Sequence, residues 1–389
     1  MPKIYDIQEK PKRAFLISLK NGGVNDESDA NELEGLCGTL SLNIIAHEKI
    51  RLRENSSKFK IGSGKAETLC LKAKELEADL IIFDFDPSPS QQRNWEDLAG
   101  IPVIDRQELI IRVFADRAVT KEADLQVKLA ELSYFLPRLT HKYIDLLRQR
   151  GGRYGTKGSG ETKLETDRRK IEKRITQLEK EIDKIKKQRQ NQRHLREKSE
   201  IPVCAIVGYT NSGKSSLLNA LTGANVLAED KLFATLDAVT RKFQIAPGVY
   251  ALLTDTVGFI RNLPHSLIKA FRSTLEEAAL ADILIHVLDA SDPDIERNYE
   301  TTVSVLRELG AREVPVIVVL NKIDKLEEKN KKYINQSAEN DLTFPDIKDN
   351  ILTIEELQNR FPDSVALSVK TGAGLENLKE KIFKMTDLK

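Results

Sequence analysis

The chain has 389 residues, 31% of them charged, yet its 61 basic and 60 acidic side chains leave a net charge of only +1. That length calls for two or three domains, each able to bury its own core. The near-neutral balance excludes recognition of a polyanion by the whole-molecule field, so any such affinity must come from local asymmetry. Three widely separated cysteines (Cys37, Cys70, Cys204) and five histidines without ligand spacing argue for a reducing cytoplasmic setting and against disulfides or a zinc site. The first residues lack a secretory apolar core, and the longest apolar run, 314–320, is too short to span a bilayer.

Residues 1–122 are expected to hold a small α/β unit, with strands at 14–19, 41–47, 80–85 and 103–104 and helices at 29–40, 65–77 and 91–99. Such alternation predicts a parallel sheet covered by helices. Pro87 and Pro89 mark a loop after the third strand, where folds of this kind place ligands.

The pattern changes over 123–198. Leu125, Leu129, Leu132, Leu136, Leu139, Tyr143 and Leu146 form one apolar seam, and Ile171, Ile175, Leu178, Ile182 and Ile185 form another. A spacing averaging about 3.5 residues puts each set on one side of a helix, although Pro137 should interrupt the first. Between them lies the Gly-rich stretch 151–160, which no regular element tolerates. The expectation is an antiparallel helical hairpin with a mobile basic tip. From 138 to 200 there are 20 Lys/Arg against 10 Asp/Glu, an asymmetry that suits RNA as well as it suits a solvated helix surface. Arg150, Arg153 and Lys157 at the tip are suited to phosphates, and Tyr154 to stacking on a base.

Residues 199–389 return to α/β alternation, with strands expected at 203–207, 242–245, 251–254, 283–289, 316–320 and 365–369. Helices are expected at about 214–222, 265–280, 294–309 and 374–386, and 325–362 reads as a polar, mobile surface insertion apart from a short helix at 354–361. This is the layout of a doubly wound sheet. The segment Gly208-Tyr209-Thr210-Asn211-Ser212-Gly213-Lys214-Ser215-Ser216 joins the first strand to a helix. Strand, Gly-bounded loop and Lys-Ser at a helix start make a phosphate-binding P-loop: amides cradle the phosphates, Lys214 reaches the β/γ oxygens and Ser215 ligates Mg²⁺.

Asp255-Thr-Val-Gly258 ends a strand about 40 residues later. Asp255 is placed to hold Mg²⁺ and the Gly258 amide to sense the γ-phosphate. Asn321-Lys322-Ile-Asp324 follows another strand. The Asp324 carboxylate accepts from N1–H and the N2 amine of guanine, a donor pair that adenine lacks, so the triphosphate is GTP. Lys322 can lie along the base, Asn321 can tie this loop to the P-loop, and Ser368-Val369-Lys370 offers a backbone N–H to O6. Phe233 and Thr235 sit where a mobile switch belongs. Thr235, or failing it Thr240, should bring a hydroxyl to Mg²⁺ and an amide to the γ-phosphate. Lys214, Thr235 and Gly258 are thus the candidate catalytic groups, and Ser215, Thr235 and Asp255 the candidate metal ligands. Phe259 stands where Ras has the glutamine that orients water, so hydrolysis is expected to be slow until a partner or a rearranged switch completes the site.

With these motifs the chain resembles the HflX family of translation-associated GTPases over nearly its whole length. The resemblance is carried by the segments at 208–215, 233–237 and 255–259, and most specifically by Gly158-Ser-Gly-Glu-Thr-Lys-Leu-Glu-Thr-Asp-Arg-Arg169 and Lys60-Ile-Gly-Ser-Gly-Lys65. It implies binding to the ribosome, chiefly the large subunit and its RNA, in splitting or rescuing stalled ribosomes; the chain itself is expected to be a cytoplasmic monomer with no membrane or DNA partner. It also implies a potassium ion assisting hydrolysis through Asn211, and leaves an N-terminal ATP site open. Switch I departs from the family's Pro-Thr-Thr-Arg with Ala238-Val-Thr-Arg241. Two other readings remain: an RNA- or ribosome-binding module in which hydrolysis only times release, and ATP-assisted RNA remodelling by the N-terminal domain.

Overall fold

The computed structural model describes residues 12–20, 26–51, 58–139, 160–197, 201–224, 229, 231–261, 267, 270–339 and 353–386, which fall into two compact units, 1–185 and 186–389. In the first, β1 (Arg13–Lys20), β2 (Asn43–Arg51), β3 (Leu80–Phe83) and β4 (Val103–Asp105) form a parallel sheet ordered β2-β1-β3-β4. The crossovers carry α1 (Asp26–Thr39), α2 (Ser63–Glu75) and α3 (Pro89–Ala99). Covering both faces buries every residue of β3, as its unbroken apolar run requires. Trp95 of α3 packs edge-on against Phe59 and Phe83 and donates its indole N–H to the Phe59 carbonyl at 3.0 Å. Ser88 and Gln91 form a capping box that starts α3, with Pro89 inside its first turn.

The sequence reading ends this unit's regular structure at β4. The chain in fact continues into α4 (Arg106–Arg117), capped by Asp105, which accepts from the Glu108 amide at 2.8 Å. Its buried Leu109, Ile110, Val113 and Phe114 are too short a pattern to separate helix from strand by period alone.

The first seam helix is shorter than expected. α5 (Lys121–Phe135) gives way to a 3₁₀ turn over Leu136–Arg138, because Pro137 has no amide to donate and its ring crowds the preceding turn. Tyr143, Leu146 and the tip residues Arg150, Arg153, Tyr154 and Lys157 lie outside the described residues. α6 (Gly160–Glu197) carries the second seam, and its Ile175, Leu178, Ile182 and Ile185 gather with Leu125, Leu129 and Leu132 of α5. Where the chain leaves the 3₁₀ turn, Arg138 is held by Asp105 at 2.9 Å and Gln92 at 3.0 Å, with its guanidinium 3.7 Å from the centre of the Tyr134 ring. Part of the basic excess on α6 is met within the helix, since Arg168 and Arg169 pair with Glu172 and Glu165 at 3.0 and 3.2 Å. Such exposed pairs add only a few tenths of a kcal/mol each, about 0.3–0.5.

The second unit is a six-stranded sheet ordered β10-β9-β8-β5-β7-β6. Its strands are β5 (Val203–Gly208), β6 (Val239–Ala246), β7 (Val249–Asp255), β8 (Ile283–Asp289), β9 (Val316–Asn321) and β10 (Val365–Ala366), all parallel but β6. α7 (Lys214–Thr222), α8 (Arg272–Ala279), α9 (Ile295–Glu308), α10 (Ile323–Glu339), α11 (Ile354–Arg360) and α12 (Leu375–Thr386) complete it. β5 lies between β7 and β8, so the chain's direction of travel reverses there and a crevice opens at its carboxyl end. The expected insertion is corrected at its start: 323–339 is the helix α10, with Leu326 buried against Leu288, Leu320 and Leu357. Its charged face disguised that packing. Among the described residues no helix is long and apolar enough to cross a membrane.

All three cysteines are free and buried, and burial pushes the thiol of Cys37 up to about 12 and that of Cys70 up to about 11. His286 of β8 is stacked on Tyr299 of α9 at 5.0 Å, and neither ring nitrogen has a hydrogen-bond partner among the described residues. Burial, aided by the Lys214 charge, lowers its pKa to about 3. With the folded pKa depressed, the group's ionisation costs the fold nothing above its unfolded value of 6.5, and the unfolded state is favoured increasingly as pH falls from there toward 3. His286→Phe keeps the stacking and removes the orphaned nitrogens. Its gain in stability over the parent should be about 2 kcal/mol larger at pH 5 than at pH 8, read by thermal unfolding at the two pH values; equal gains would contradict the burial argument.

Candidate nucleotide site

The loop after β5 can be built only from the residues it has. Gly208 has φ 147°, and a Cβ there would meet the Val287 carbonyl oxygen at 2.3 Å; Gly213 has φ 96°, and a Cβ would meet Asn321 Nδ2 at 2.3 Å. Asn211 between them is left-handed at φ 59°, a conformation asparagine tolerates. α7 then begins at Lys214 with no side-chain cap, so its first amides are available to an anion. Thr210, Asn211, Lys214, Ser215, Ser216, Phe233, Thr235 and Gly258 line one cleft of about 200 Å³.

Lys214 is buried, donates to the Tyr209 carbonyl at 2.7 Å, and is lowered to about 8 by burial. Ser215 Oγ lies 2.6 Å from Thr235 Oγ1 and 2.6 Å from Asp255 Oδ2, and Thr235 Oγ1 donates to the same carboxylate oxygen at 2.9 Å. Burial pushes the Asp255 carboxyl up against the opposing pull of Lys214 and the two hydroxyls. Asp255 Oδ1, Thr210 Oγ1 and Ser212 Oγ are buried with no hydrogen-bond partner among the described residues. Three hard oxygens in one triangle, one of them anionic, fit Mg²⁺. β6 begins earlier than expected and takes in one of the two switch threonines: Thr240 is a strand residue paired with Thr254, hydroxyl to hydroxyl at 2.9 Å, and only Thr235 reaches the triangle.

At the other end, Asn321 donates to the Ser212 carbonyl at 2.9 Å and accepts from the Val369 amide at 3.3 Å, tying three loops together. Lys322, at φ 64°, reaches the Asn211 carbonyl and the Asp289 carboxylate, both at 2.7 Å. Ser368 donates its hydroxyl to Asp324 Oδ1 at 2.6 Å, and Lys370 stands 3.8 Å from Oδ2. The expected strand 365–369 stops at Ala366, leaving Ser368-Val369-Lys370 in a loop. Of its amides, Ser368 donates to Ala373 and Val369 to Asn321, whereas that of Lys370 has no acceptor among the described residues.

Phe259 does not point into the cleft. It is 1% exposed, its amide donates to the Gly208 carbonyl at 3.0 Å, and its carbonyl accepts from the Thr210 amide at 2.7 Å. Gly258 is thereby pressed onto the P-loop: a Cβ there would lie 2.9 Å from both Lys214 Nζ and Thr210 Cα. Sequence reasoning missed three residues: Glu229 and Lys231, which line the cleft, and Arg261, which is buried beside it. None belongs to a spaced motif, so only folding reveals them.

Family models match along the chain: "GTP-binding GTPase N-terminal" at 27–115, "GTP-binding GTPase Middle Region" at 117–196, "50S ribosome-binding GTPase" at 203–322 and "Elongation factor Tu GTP binding domain" at 269–387. The GTPase HflX of Akkermansia muciniphila is 48% identical over 341 residues, covering 84% of this chain and 78% of its own. That of Escherichia coli is 39% identical over 378 residues, covering 96% and 83%. The chain belongs to the HflX family of GTPases. Its activity is therefore GTP binding and hydrolysis, and the motif-bearing loops described above belong to an HflX-type G domain. A GTP-binding protein of Sulfolobus solfataricus solved with GDP is 27% identical, with a TM-score of 0.46 covering 97% of this chain and 99% of that one.

Proposed function

We propose that this GTPase is a ribosome-directed switch acting in the cytoplasm as a monomer, engaging the large subunit and its RNA through residues 1–198 and using GTP to control that engagement during splitting or rescue of stalled ribosomes. The observation that carries it is the Ser215–Thr235–Asp255 triangle, in which the P-loop and switch I hydroxyls meet at one carboxylate oxygen of the DxxG strand. Ser215, Thr235 and Asp255 would hold Mg²⁺, which would supply neutralisation of charge on the β- and γ-phosphates. Lys214 binds the same oxygens, the Gly258 amide meets the γ-phosphate, and Thr235 leaves when that phosphate is gone, so both loops respond to one bond. Gly208 to Ser216 cradle the phosphates and Phe233 closes the cleft. Asp324 selects guanine, oriented by Ser368, while the Lys370 amide serves O6. Asn211 is the residue that would face a potassium ion, which would supply charge stabilisation there. The basic excess over 138–200 and the ribosomal wording of the matched family model support the choice of partner. Sedimentation with ribosomes and with separate subunits, in GDP and in a non-hydrolysable GTP analogue, tests it. Co-sedimentation with the large subunit in the analogue, much weaker in GDP, is expected; binding indifferent to nucleotide would make the chain a module rather than a switch.

A further inference from the structure

Switch II carries a clamp that the GTPase motifs do not account for. Past Gly258 the chain runs alongside the P-loop as a short parallel clip, made by the Phe259 amide on the Gly208 carbonyl and the Thr210 amide on the Phe259 carbonyl. The clip has a third link at its far end, where the Arg261 amide donates to the Tyr209 hydroxyl at 3.0 Å. The Arg261 side chain is buried, and its guanidinium reaches Asp294 Oδ2 and Asn298 Oδ1, both at 3.0 Å, at the start of α9. Asn298 is itself buried and donates to Asp292 Oδ2 at 2.9 Å, while the Asp294 amide donates to Asp292 Oδ1 at 2.9 Å. The anchor is therefore preformed on the helix side.

Burying a guanidinium is costly unless it is paired; here Nη2 makes both contacts, and they fix one end of a four-residue segment whose other end is Gly258. The geometry points to Arg261 as a positioning residue for GTP hydrolysis: clamped to Asp294 and Asn298, it holds 258–261 on the P-loop and so sets where the Gly258 amide stands over Lys214. Phe259 offers nothing to a water molecule, which leaves the placement of Gly258 as switch II's contribution from the DxxG segment. A second tether, Asp289 to Lys322 to the Asn211 carbonyl, holds the base side of the loop without touching switch II. Loss of the Arg261 clamp should therefore spare GDP and penalise whatever depends on the γ-phosphate.

The inference rests on 208–215 being the phosphate loop, and the test separates the two. Affinities for GDP and for a non-hydrolysable GTP analogue, together with kcat for GTP, are measured on the full chain and on Arg261→Ala, Arg261→Lys, Asp294→Ala and Tyr209→Phe. Arg261→Ala should keep GDP affinity within about twofold, lose about tenfold in preference for the analogue over GDP, and lose about tenfold in kcat, magnitudes ordinary for one buried charge-assisted contact. Arg261→Lys should recover part of both losses. Adding Asp294→Ala to Arg261→Ala should cost little more than either alone, as partners in one contact do. Tyr209→Phe removes only a hydroxyl and should show the same split, more weakly, in a chain that folds. GDP and analogue affinities falling in parallel, or kcat unchanged, would overturn the clamp. A parent chain that bound no GDP would remove the phosphate-loop assignment and the clamp with it.

Discussion

Replacing Lys214 with alanine should cost GTP affinity at least about a hundredfold and leave no measurable turnover. The ammonium makes charge-assisted contacts to β- and γ-phosphate oxygens, and two such contacts are together worth about 3–6 kcal/mol, or roughly 10²–10⁴ in affinity. A second loss follows from the first. Lys214 is the charge that opposes the desolvation of Asp255. Without it the carboxyl moves further up and the Ser215–Thr235–Asp255 triangle loses part of its anionic character, so Mg²⁺ affinity falls too. The fold should survive. Lys214 is a buried cation whose Nζ is held by the Tyr209 carbonyl; the desolvation cost relieved at the lysine offsets the compensation lost at Asp255, so the melting temperature without nucleotide should change little. Titration of a fluorescent guanine nucleotide, with and without Mg²⁺, reads both losses. Binding within tenfold of the parent would mean that Lys214 is not the phosphate lysine.

The other large effect is a change of base. Asp324→Asn should weaken GTP at least about a hundredfold and raise affinity for xanthosine triphosphate. A carboxylate offers two acceptors to the two donors on guanine's N1 and N2. An asparagine offers one acceptor and one donor, which is what xanthine's N1–H and C2 carbonyl require. Losing one contact and opposing a donor with a donor exceeds the 1.5–3 kcal/mol of a single charged hydrogen bond, hence about two orders of magnitude. Ser368 keeps the side chain oriented, because its hydroxyl can donate to the amide oxygen as it does to Asp324 Oδ1. Competition among GTP, ATP and xanthosine triphosphate measures the outcome. Unchanged GTP binding, or a gain for ATP, would remove Asp324 from the base site.

The nucleotide motifs were readable in advance because their chemistry constrains adjacent residues. A glycine at φ 147° beside a neighbouring strand's carbonyl, or a lysine at the first position of an uncapped helix, leaves its mark within a few positions of sequence. The buried strands were readable for a related reason: 283–289 is apolar throughout except for His286 and the terminal Asp289, which leaves no other period to choose. What escaped depends on contacts distant in the chain. The sequence puts Thr235 ahead of Thr240 without a contact to decide it; the antiparallel register of β6, with Val239 opposite Asp255, commits Thr240 to the sheet. α10 was hidden because one buried leucine, Leu326, anchors a helix whose other described faces are mostly polar. The seam through Leu136 and Leu139 keeps its heptad spacing in the letters, while Pro137, the expected interruption, ends the helix that would use it. Arg261 had no signal at all, because its partners Asp294 and Asn298 lie more than thirty residues away.

The burial of the three cysteines has a practical side. Alkylation proceeds through the thiolate, and Cys37, Cys70 and Cys204 are both shielded and, for the first two, held protonated at neutral pH. The folded chain is thus its own blank for maleimide labelling. A single cysteine introduced at an exposed position such as Val119, which is 90% exposed, would carry a fluorophore without the natural thiols being removed, and nucleotide-dependent motion could be followed in an otherwise unaltered protein.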